Sequence, residues 1–229
     1  MNIHYEEMQK SDYNRIMELI TQAWFSEYNF SKRVISLYAK GYLYMYLSEL
    51  SYKQVAKDGG KVVGFLFGRC DKVNPFKALY YKTKLFFVGL NLLFTKAGRR
   101  GLKINHKTNV ANKALFKDAK IDDGAELVLF IVDEAYRGCG IGSTLEKNFY
   151  THAKKSKKDT LYLYTDTYSN YEFYENKDYT RQGEVYVDFN LPHEENGTYY
   201  IYTKELSENE DIQERWTDEK WWCFWQNKR

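Results

Sequence analysis

Cysteine is scarce in this 229-residue sequence, which contains only Cys70, Cys139 and Cys223. Their number is odd, they lie far apart, and no CxxC pair or nearby histidine accompanies them. A disulfide framework or a structural zinc site needs paired or clustered ligands, so the pattern favours neither. We therefore expect a chain that works in a reducing cytoplasm and binds no metal.

Proline is also rare, and no stretch rich in proline and serine marks a linker. Apolar residues make up 44% of the chain and aromatic residues 18%, which is enough to build a buried core. We expect a single domain over residues 1–206 and a tail over residues 207–229 that packs on it. The tail aromatics that seek burial are Trp216, Trp221, Trp222, Phe224 and Trp225.

Long hydrophobic runs are missing as well. The longest nearly continuous apolar run, from Leu85 to Phe94, has ten residues and is too short to cross a bilayer. The first residues do not combine a basic segment with an apolar one, so they do not resemble a signal peptide. These absences predict a soluble protein.

Acidic residues are absent from one window of the chain. From Lys72 to Lys117 there are eleven Lys or Arg residues and no Asp or Glu, whereas the whole chain has a net charge of +3. The remainder therefore carries a net charge of −8, and residues 72–122 form a basic insert in an acidic body. The apolar residues of this insert that recur at helical spacing are Phe76, Leu79, Tyr80, Phe86, Phe87, Leu90, Leu93 and Phe94.

Three interpretations of the insert stay open. The favoured one is a solvated basic face over a buried apolar stripe. The others are a lid over a bound ligand, and a surface for a membrane or nucleic acid. Membrane contact through 72–117 stays open but is not favoured, and nucleic acid is not expected. Asn74–Pro75 is a typical helix start and Gly98 a typical stop, so we predict one long helix between them. Beyond it we predict loop over 99–124, with a short helix near 110–116.

Elsewhere, hydrophobic periodicity alternates between that of strands and that of helices. Strands are predicted at 2–8, 52–57, 61–69, 126–132, 160–165, from 179 onward and at 198–206. Helices are predicted from Ser11, at 31–50, at 141–154 and at 170–176. Asp58-Gly59-Gly60 is a strong hairpin signal. The order predicts a mixed α/β fold, with hairpins at both ends and a mixed rather than purely parallel sheet.

A glycine-rich loop follows the apolar strand that ends at Val132. We call residues 137–142, with the sequence RGCGIG, the glycine loop. Such a strand-to-helix turn offers unpaired amides and a helix dipole to an anion. It is not a Walker A loop, because no lysine precedes Ser143-Thr144. It is not a Rossmann fingerprint either, because Ser143 stands where the third glycine belongs and about 125 residues precede the strand.

The glycine loop resembles the R/Q-x-x-G-x-G/A loop of the GNAT superfamily of acyl-CoA-dependent N-acyltransferases. A second stretch, NYEFYENKDY at 170–179, resembles a later segment of that family. Asp178 stands where the family has a glycine. The resemblance implies a central mixed, mostly antiparallel sheet flanked by helices, to which this chain adds a helical insert and an aromatic C-terminal tail. It also implies that the strand end, the loop and Asn170 bind acetyl-CoA. The implied cofactor-binding residues are Ile131, Val132, Arg137, Gly138, Cys139, Gly140, Ile141, Gly142, Ser143 and Asn170.

The resemblance also implies direct attack of an amine on the thioester of acetyl-CoA. Tyr174 is then the proton donor to the departing thiolate, and Cys139 is a spacer and not a nucleophile. For the general base, Glu126, Asp166 and His106 stay open, although we expect Glu126 to be solvated at the start of its strand. A small-molecule amine is favoured as acceptor over a protein amine. A non-catalytic acyl-CoA-binding module and a homodimer stay open as well.

Overall fold

A computed structural model describes residues 1–25, 30–191 and 196–206. The predicted packing of the aromatic tail, 207–229, lies outside these residues. The strands are β1 (Ile3–Glu7), β2 (Tyr52–Asp58), β3 (Lys61–Arg69), β4 (Gly124–Val132), β5 (Thr160–Asp166), β6 (Thr180–Val187) and β7 (Gly197–Glu205). The helices are α1 (Tyr13–Phe25), α2 (Lys32–Glu49), α3 (Pro75–Leu93), α4 (Lys96–Ala119), α5 (Ile141–Lys155) and the short α6 (Glu172–Glu175).

The strands form one sheet in the order β1-β2-β3-β4-β5-β7-β6. Neighbouring strands are antiparallel, except for the central pair β4 and β5, which is parallel. The β2–β3 hairpin turns at Gly59 and Gly60, both with positive φ, as its sequence predicts. The prediction of a mixed, mostly antiparallel sheet flanked by helices is confirmed.

The central strands β4 and β5 separate soon after they meet. Their parallel pairing covers only three residue pairs, from Gly124↔Thr160 to Glu126↔Tyr162. Directly afterwards β4 has a bulge against β3, because Phe67 pairs with Leu129 but Gly68 pairs with Leu127, which leaves Val128 as an extra residue. A bulge bends its strand and increases the local twist, so β4 turns away from β5.

We call this opening, between residues 127–132 of β4 and 163–166 of β5, the splay. The outer edge of β4 pairs with β3, and the outer edge of β5 pairs with β7. Among the described residues, no strand pairs with their inner edges beyond Glu126 and Tyr162. The inner edge of β4 therefore presents backbone N–H and C=O groups to a cleft.

The two faces of the sheet are covered by different helices. On one face, α1 and α2 bury apolar side chains against β3, including Ile16, Leu43 and Phe65. On the other face, α5 buries Leu145 and Phe149 in a core shared with β3, β4 and β5. Their apolar residues recur at helical spacing because each helix has one face toward the sheet.

The basic insert forms two helices, and part of its prediction is wrong. Helix α3 starts as predicted, with the Asn74 side chain accepting hydrogen bonds from the N–H groups of Phe76 and Lys77. It ends at Leu93, and Gly98 is not its stop. Thr95 caps α4, which continues to Ala119 where a loop with a short helix was predicted.

The glycines of α4 explain this error, since they serve close packing and not chain termination. A Cβ at Gly98 would lie 2.1 Å from the Leu92 carbonyl oxygen at the end of α3. A Cβ at Gly101 would lie 2.1 Å from the Tyr38 hydroxyl on α2. Both glycines let α4 approach its neighbours, a tertiary requirement that looks like a helix breaker in the sequence.

Helix α3 packs on α2 through an edge that the sequence analysis did not single out. Its buried residues are Tyr81, Val88 and Leu92, and the Tyr81 hydroxyl is 2.8 Å from that of Tyr13. The apolar stripe that was predicted to be buried lies on the opposite side and is exposed, from Phe76 at 82% to Phe94 at 86%. The interpretation of the insert as a basic face over a buried stripe is therefore wrong.

Helix α4 lies against the far end of the sheet. Its buried residues Ala111 and Leu115 contact β6 and β7 through Val187 and Ile201. It covers the face of the sheet on which α2 also lies, since α4 contacts α2 at Tyr38. None of the described helices is long and apolar enough to span a membrane.

The closeness of α5 to the bulge generates a stability prediction. A Cβ at Gly68 would lie 2.1 Å from Cε2 of Phe149, a fully buried ring with no room to move. We expect Gly68→Ala to lower the free energy of unfolding by about 1–3 kcal/mol through overpacking. Urea unfolding followed by circular dichroism measures this change.

Gly89→Ala is the matched control, because nothing lies within 4 Å of a Cβ at this position of α3. It should raise the free energy of unfolding by about 0.5–1 kcal/mol, since alanine favours a helix over glycine. Equal stability of the Gly68→Ala variant and the unmodified protein would contradict the packing of α5 described here.

Candidate functional site

The glycine loop lies between the end of β4 and the start of α5. Gly138 and Gly140 have φ of +77° and +74°, a left-handed conformation that residues with a Cβ rarely adopt. Nothing lies within 4 Å of a Cβ at either position, so the backbone conformation requires glycine there. Gly142 differs, because its Cβ would lie 2.9 Å from Cζ of Phe130 on β4.

The loop leaves a run of backbone amides without acceptors. Thr144 N–H donates to the Gly140 carbonyl and is the first amide of α5 to bond within the helix. Within the described part of the chain, the N–H groups of residues 138–143 donate no hydrogen bond. The positive end of the α5 dipole lies at the same place, so the loop attracts an anion.

Two side chains of the loop face solvent. The Arg137 guanidinium donates from Nε to the Val132 carbonyl at 3.3 Å, which holds this cation at the end of β4. Cys139 is an exposed free thiol between two glycines. The turn before the loop is anchored to α1 by an ion pair between Arg15 and Asp133.

The splay, the glycine loop and α6 meet at one place. Ile131 and Val132 are half-buried at the end of β4. The ring of Phe130 on β4 lies 5.9 Å from that of Phe173 on α6, centroid to centroid. Lys177, just after α6, donates from Nζ to Ser143 Oγ at 3.3 Å.

Tyr174 and the loop residues, predicted from two separate stretches, are therefore neighbours in the fold. Asn170 is exposed directly before α6. Asp178, which replaces the family's glycine, adopts φ +61°, so the turn keeps the left-handed conformation without a glycine.

A buried carboxyl group lies beneath Tyr174. Glu146 on α5 is 1% exposed, and burial raises its pKa to about 7, against the opposing effect of Lys177 and Lys204. The Tyr179 hydroxyl lies beside this carboxyl without the geometry of a hydrogen bond. Burial and the nearby Glu146 carboxylate raise the pKa of Tyr174, so its hydroxyl keeps its proton at neutral pH.

Sequence reasoning missed Glu146 and Lys177. The sequence did contain a signal for Glu146, because a charged residue beside Ile141, Leu145 and Phe149 on the apolar face of α5 is unusual. The sequence contained no such signal for Lys177, since the contact of this residue depends on the approach of α6 to the first turn of α5.

The three candidate bases have different surroundings. Glu126 lies at the last paired position before the splay, 2.7 Å from Arg69, and is buried. The expectation that it is solvated is wrong, and burial raises the pKa of its carboxyl. Asp166 accepts hydrogen bonds from the N–H groups of Tyr168 and Ser169 and so closes a turn. His106 is exposed on α4.

The parted strands, the amide-rich loop and the helix behind it place the protein in the class of acyltransferases. The chain belongs to the acetyltransferase (GNAT) family, whose family model matches residues 13–179. The family that the sequence analysis inferred from the glycine loop and residues 170–179 is thereby confirmed. No functionally curated protein matches the chain.

Solved structures share the fold at low sequence identity. An N-acetyltransferase from Staphylococcus aureus Mu50 is 15% identical with a TM-score of 0.52, over 90% of this chain and 100% of that one. Ard1 from Thermoplasma volcanium is 16% identical with a TM-score of 0.50, over 91% and 100%. The protein yncA from Salmonella typhimurium, solved with its cofactor acetyl-CoA, is 11% identical with a TM-score of 0.50, over 92% of this chain and 97% of that one.

Glu146 makes the stability of the fold depend on pH. Because its pKa is raised on folding, its contribution to stability is fully present below the ordinary value of 4.5 and is lost as the pH rises to about 7. Glu146→Gln removes this dependence. At pH 8 we expect the variant to exceed the unmodified protein in free energy of unfolding by up to about 3 kcal/mol.

Urea unfolding at several pH values between 5 and 8 measures this difference, which should shrink toward pH 5. Glu172→Gln, a change at an exposed carboxyl of α6, is the control and should leave the pH dependence unchanged. Parallel stability curves for Glu146→Gln and the unmodified protein would rule out a raised pKa.

Proposed function

We propose that the protein is an N-acetyltransferase that transfers the acetyl group of acetyl-CoA to a primary amine, by direct attack of the amine on the thioester. One observation carries the proposal: the acceptor-free amides of residues 138–143 run from the glycine loop into the first turn of α5, beside Arg137 and the unpaired inner edge of β4. Family membership supports the acyl donor, and the solved structure of yncA contains acetyl-CoA.

In the proposed donor site, the glycine loop binds the charged pyrophosphate of acetyl-CoA, and β4 binds its extended pantetheine arm. The amides of Gly138, Cys139, Gly140, Ile141, Gly142 and Ser143 and the Arg137 guanidinium bind the pyrophosphate. The end of β4 at Ile131 and Val132 contacts the pantetheine arm, and the free inner edge of this strand pairs with the pantetheine amides as a neighbouring strand would. Asn170, exposed before α6, contacts the same arm. The glycines fit this function because no Cβ stands between the backbone and the phosphates.

In the proposed reaction, a C–N bond replaces the C–S bond at the acetyl carbonyl carbon. The neutral amine attacks this carbon, and a C–N bond forms while negative charge develops on the carbonyl oxygen. Free N–H groups of β4 at the splay stabilise that charge. The C–S bond then breaks, the thiolate takes a proton from Tyr174, and the nitrogen loses a proton to a base.

Tyr174 suits the donor role because it remains protonated. Its ring packs against Phe173, Tyr179 and Tyr202, which fixes the direction of the hydroxyl. Its raised pKa means that the hydroxyl donates a hydrogen bond to the sulfur at every working pH.

Among the three candidate bases we favour Glu126. Its carboxyl group lies where β4 and β5 part, whereas Asp166 is engaged in a turn and His106 lies on α4. Its side chain lies next to Glu49 of α2, and thus on the face of the sheet opposite α5. A raised pKa brings a carboxylate closer to the strength that a general base needs near neutral pH.

A small-molecule amine remains the favoured acceptor. Helix α4 covers the β6–β7 end of the face on which Glu126 lies, and this cover narrows the space for an acceptor. A protein amine is the alternative acceptor. A non-catalytic acyl-CoA-binding module is the alternative from another class, and the two predictions below distinguish it from an enzyme.

Cys139 reports on donor binding, because it is exposed within the glycine loop while Cys70 is buried. We expect acetyl-CoA at 100 times its Kd to slow alkylation of Cys139 by iodoacetamide at least about tenfold, because bound ligand covers the loop. Peptide mass spectrometry measures the rate for each cysteine separately.

NADP is the matched control ligand, since it carries phosphates without the pantetheine arm, and it should leave the alkylation rate unchanged. Arg137→Ala should raise the concentration of acetyl-CoA that gives half protection about tenfold, the usual cost of a charge-assisted hydrogen bond. Protection by NADP but not by acetyl-CoA would overturn the donor assignment.

Tyr174→Phe separates enzyme from binding module. It keeps the ring and removes the hydroxyl, so we expect kcat to fall at least about 100-fold while the Kd for acetyl-CoA changes less than about twofold. Thiol release with a panel of amines measures turnover, and isothermal titration calorimetry measures Kd.

Tyr171→Phe is the control variant, because this neighbouring tyrosine packs against Tyr200 outside the proposed donor site, and it should leave kcat unchanged. Tight acetyl-CoA binding by the unmodified protein without turnover of any amine would favour the module instead.

A further inference from the structure

An exposed apolar face runs along the whole of α3. The large apolar side chains on it that are more than a third exposed are Phe76, Leu79, Tyr80, Phe86, Phe87, Leu90, Leu93 and Phe94. They recur at intervals of three and four residues, so they form one continuous stripe. We call it the α3 face. It points away from the edge that packs on α2, and soluble proteins rarely expose apolar stripes of this size without a partner.

Lysines flank the α3 face on both sides. On a helical wheel Lys77 and Lys84 border one side and Lys82 borders the other. Lys84 lies over the ring of Tyr80 at 4.6 Å from its centroid, so its ammonium group stays at the edge of the face. This pattern is typical of a helix that lies in the interface of an anionic bilayer with its cations among the headgroups.

The face continues into a cationic groove. Where α3 ends, Leu93 lines a groove with Leu102, Arg99, Lys103, His106 and Lys107 of α4. Apolar side chains and cations thus share one side of the molecule over both helices of the insert. A lipid offers the same combination, a negatively charged headgroup beside an acyl chain.

The charge distribution argues against a second copy on this face. With eleven cations and no acid between Lys72 and Lys117, a symmetric dimer through α3 would bring two basic inserts together. Like charges at an interface disfavour association. An anionic surface meets no such repulsion, and the net charge of −8 on the rest of the chain turns the body away from it.

We propose that the α3 face docks on the surface of anionic lipid bilayers. The helix lies parallel to the surface, the aromatic side chains enter the headgroup boundary, and the lysines contact lipid phosphates. The three lysines within α3 and its amphipathic pattern mean that the helix lies on the bilayer and does not cross it. This inference does not depend on the proposed acetyltransferase function.

Vesicle co-sedimentation of the full chain tests the proposal. We expect binding to phosphatidylcholine vesicles containing 30% phosphatidylglycerol, little binding to pure phosphatidylcholine, and loss of binding in about 0.5 M NaCl. Phe87→Ser should weaken binding about tenfold, since it removes one inserted aromatic ring. The double change Lys77→Gln and Lys82→Gln should weaken it by about tenfold or more, at roughly 1 kcal/mol per lysine.

Matched controls change similar residues elsewhere. Tyr186→Ser removes an aromatic ring of similar exposure on β6, and Lys61→Gln with Lys155→Gln removes two exposed lysines. Both should bind vesicles like the unmodified protein. All variants change exposed positions, and a melting temperature within about 2 °C of the unmodified protein shows that each is folded.

Hydrogen exchange of the full chain with vesicles locates the contact, and α3 should be the protected segment. Protection confined to 207–229 would overturn the proposal, because the aromatic tail would then be the membrane contact. Failure to bind anionic vesicles would overturn it too, whether the tail or a second copy covers the face. Analytical ultracentrifugation identifies the second copy, since a dimer should then dissociate in the Phe87→Ser variant.

Discussion

The separation of β4 from β5 is the constraint on which the candidate site depends. Two parallel strands that remained paired would satisfy each other's backbone groups and leave nothing for a ligand. Here the bulge at Val128 bends β4 immediately after its last pair with β5, at Glu126. The unpaired inner edge, the glycine loop at its end and the first turn of α5 then form one continuous row of backbone donors. The proposed donor site thus binds its ligand mainly with main-chain groups and needs few side chains.

The positive and negative groups near this row of donors differ in their exposure to water. The loop is positive through its amides, the α5 dipole and Arg137. Glu146 lies below it, out of water, where its pKa is near neutrality and Lys177 and Lys204 offset its charge. Lys177 also contacts Ser143, so the same side chain links α6 to the first turn of α5. Tyr174 is held by this arrangement, between an aromatic cluster and a carboxyl group that both keep its hydroxyl protonated.

The basic insert has two functions in the fold. One edge of α3 and the buried residues of α4 extend the core over α2 and the β6–β7 end of the sheet. The opposite edge of α3 remains apolar and exposed, with cations along its borders. Folding stability accounts for the apolar residues on the first edge, because Tyr81, Val88 and Leu92 are buried there. It does not account for those on the second edge, since exposed side chains such as Phe76 and Phe94 bury no surface on folding. We therefore assign the second edge to a partner surface.

The sequence by itself determined the elements other than α4, the glycine loop and the family, because these depend on periodicities and on backbone conformations that only certain residues adopt. Gly138 and Gly140 are examples, since their left-handed backbone excludes most other residues. Only the tertiary structure decided which surfaces are covered. Gly98 has the sequence pattern of a helix stop, but in the fold it lets α4 pack against the end of α3. Glu126 was expected to be solvated, but it is buried and paired with Arg69. The stripe of α3 was expected to be buried, but the opposite side of the helix, with Val88, faces α2. Burial is a relation between residues distant in the chain, and helical spacing gives the sides of a helix without telling which side faces the core.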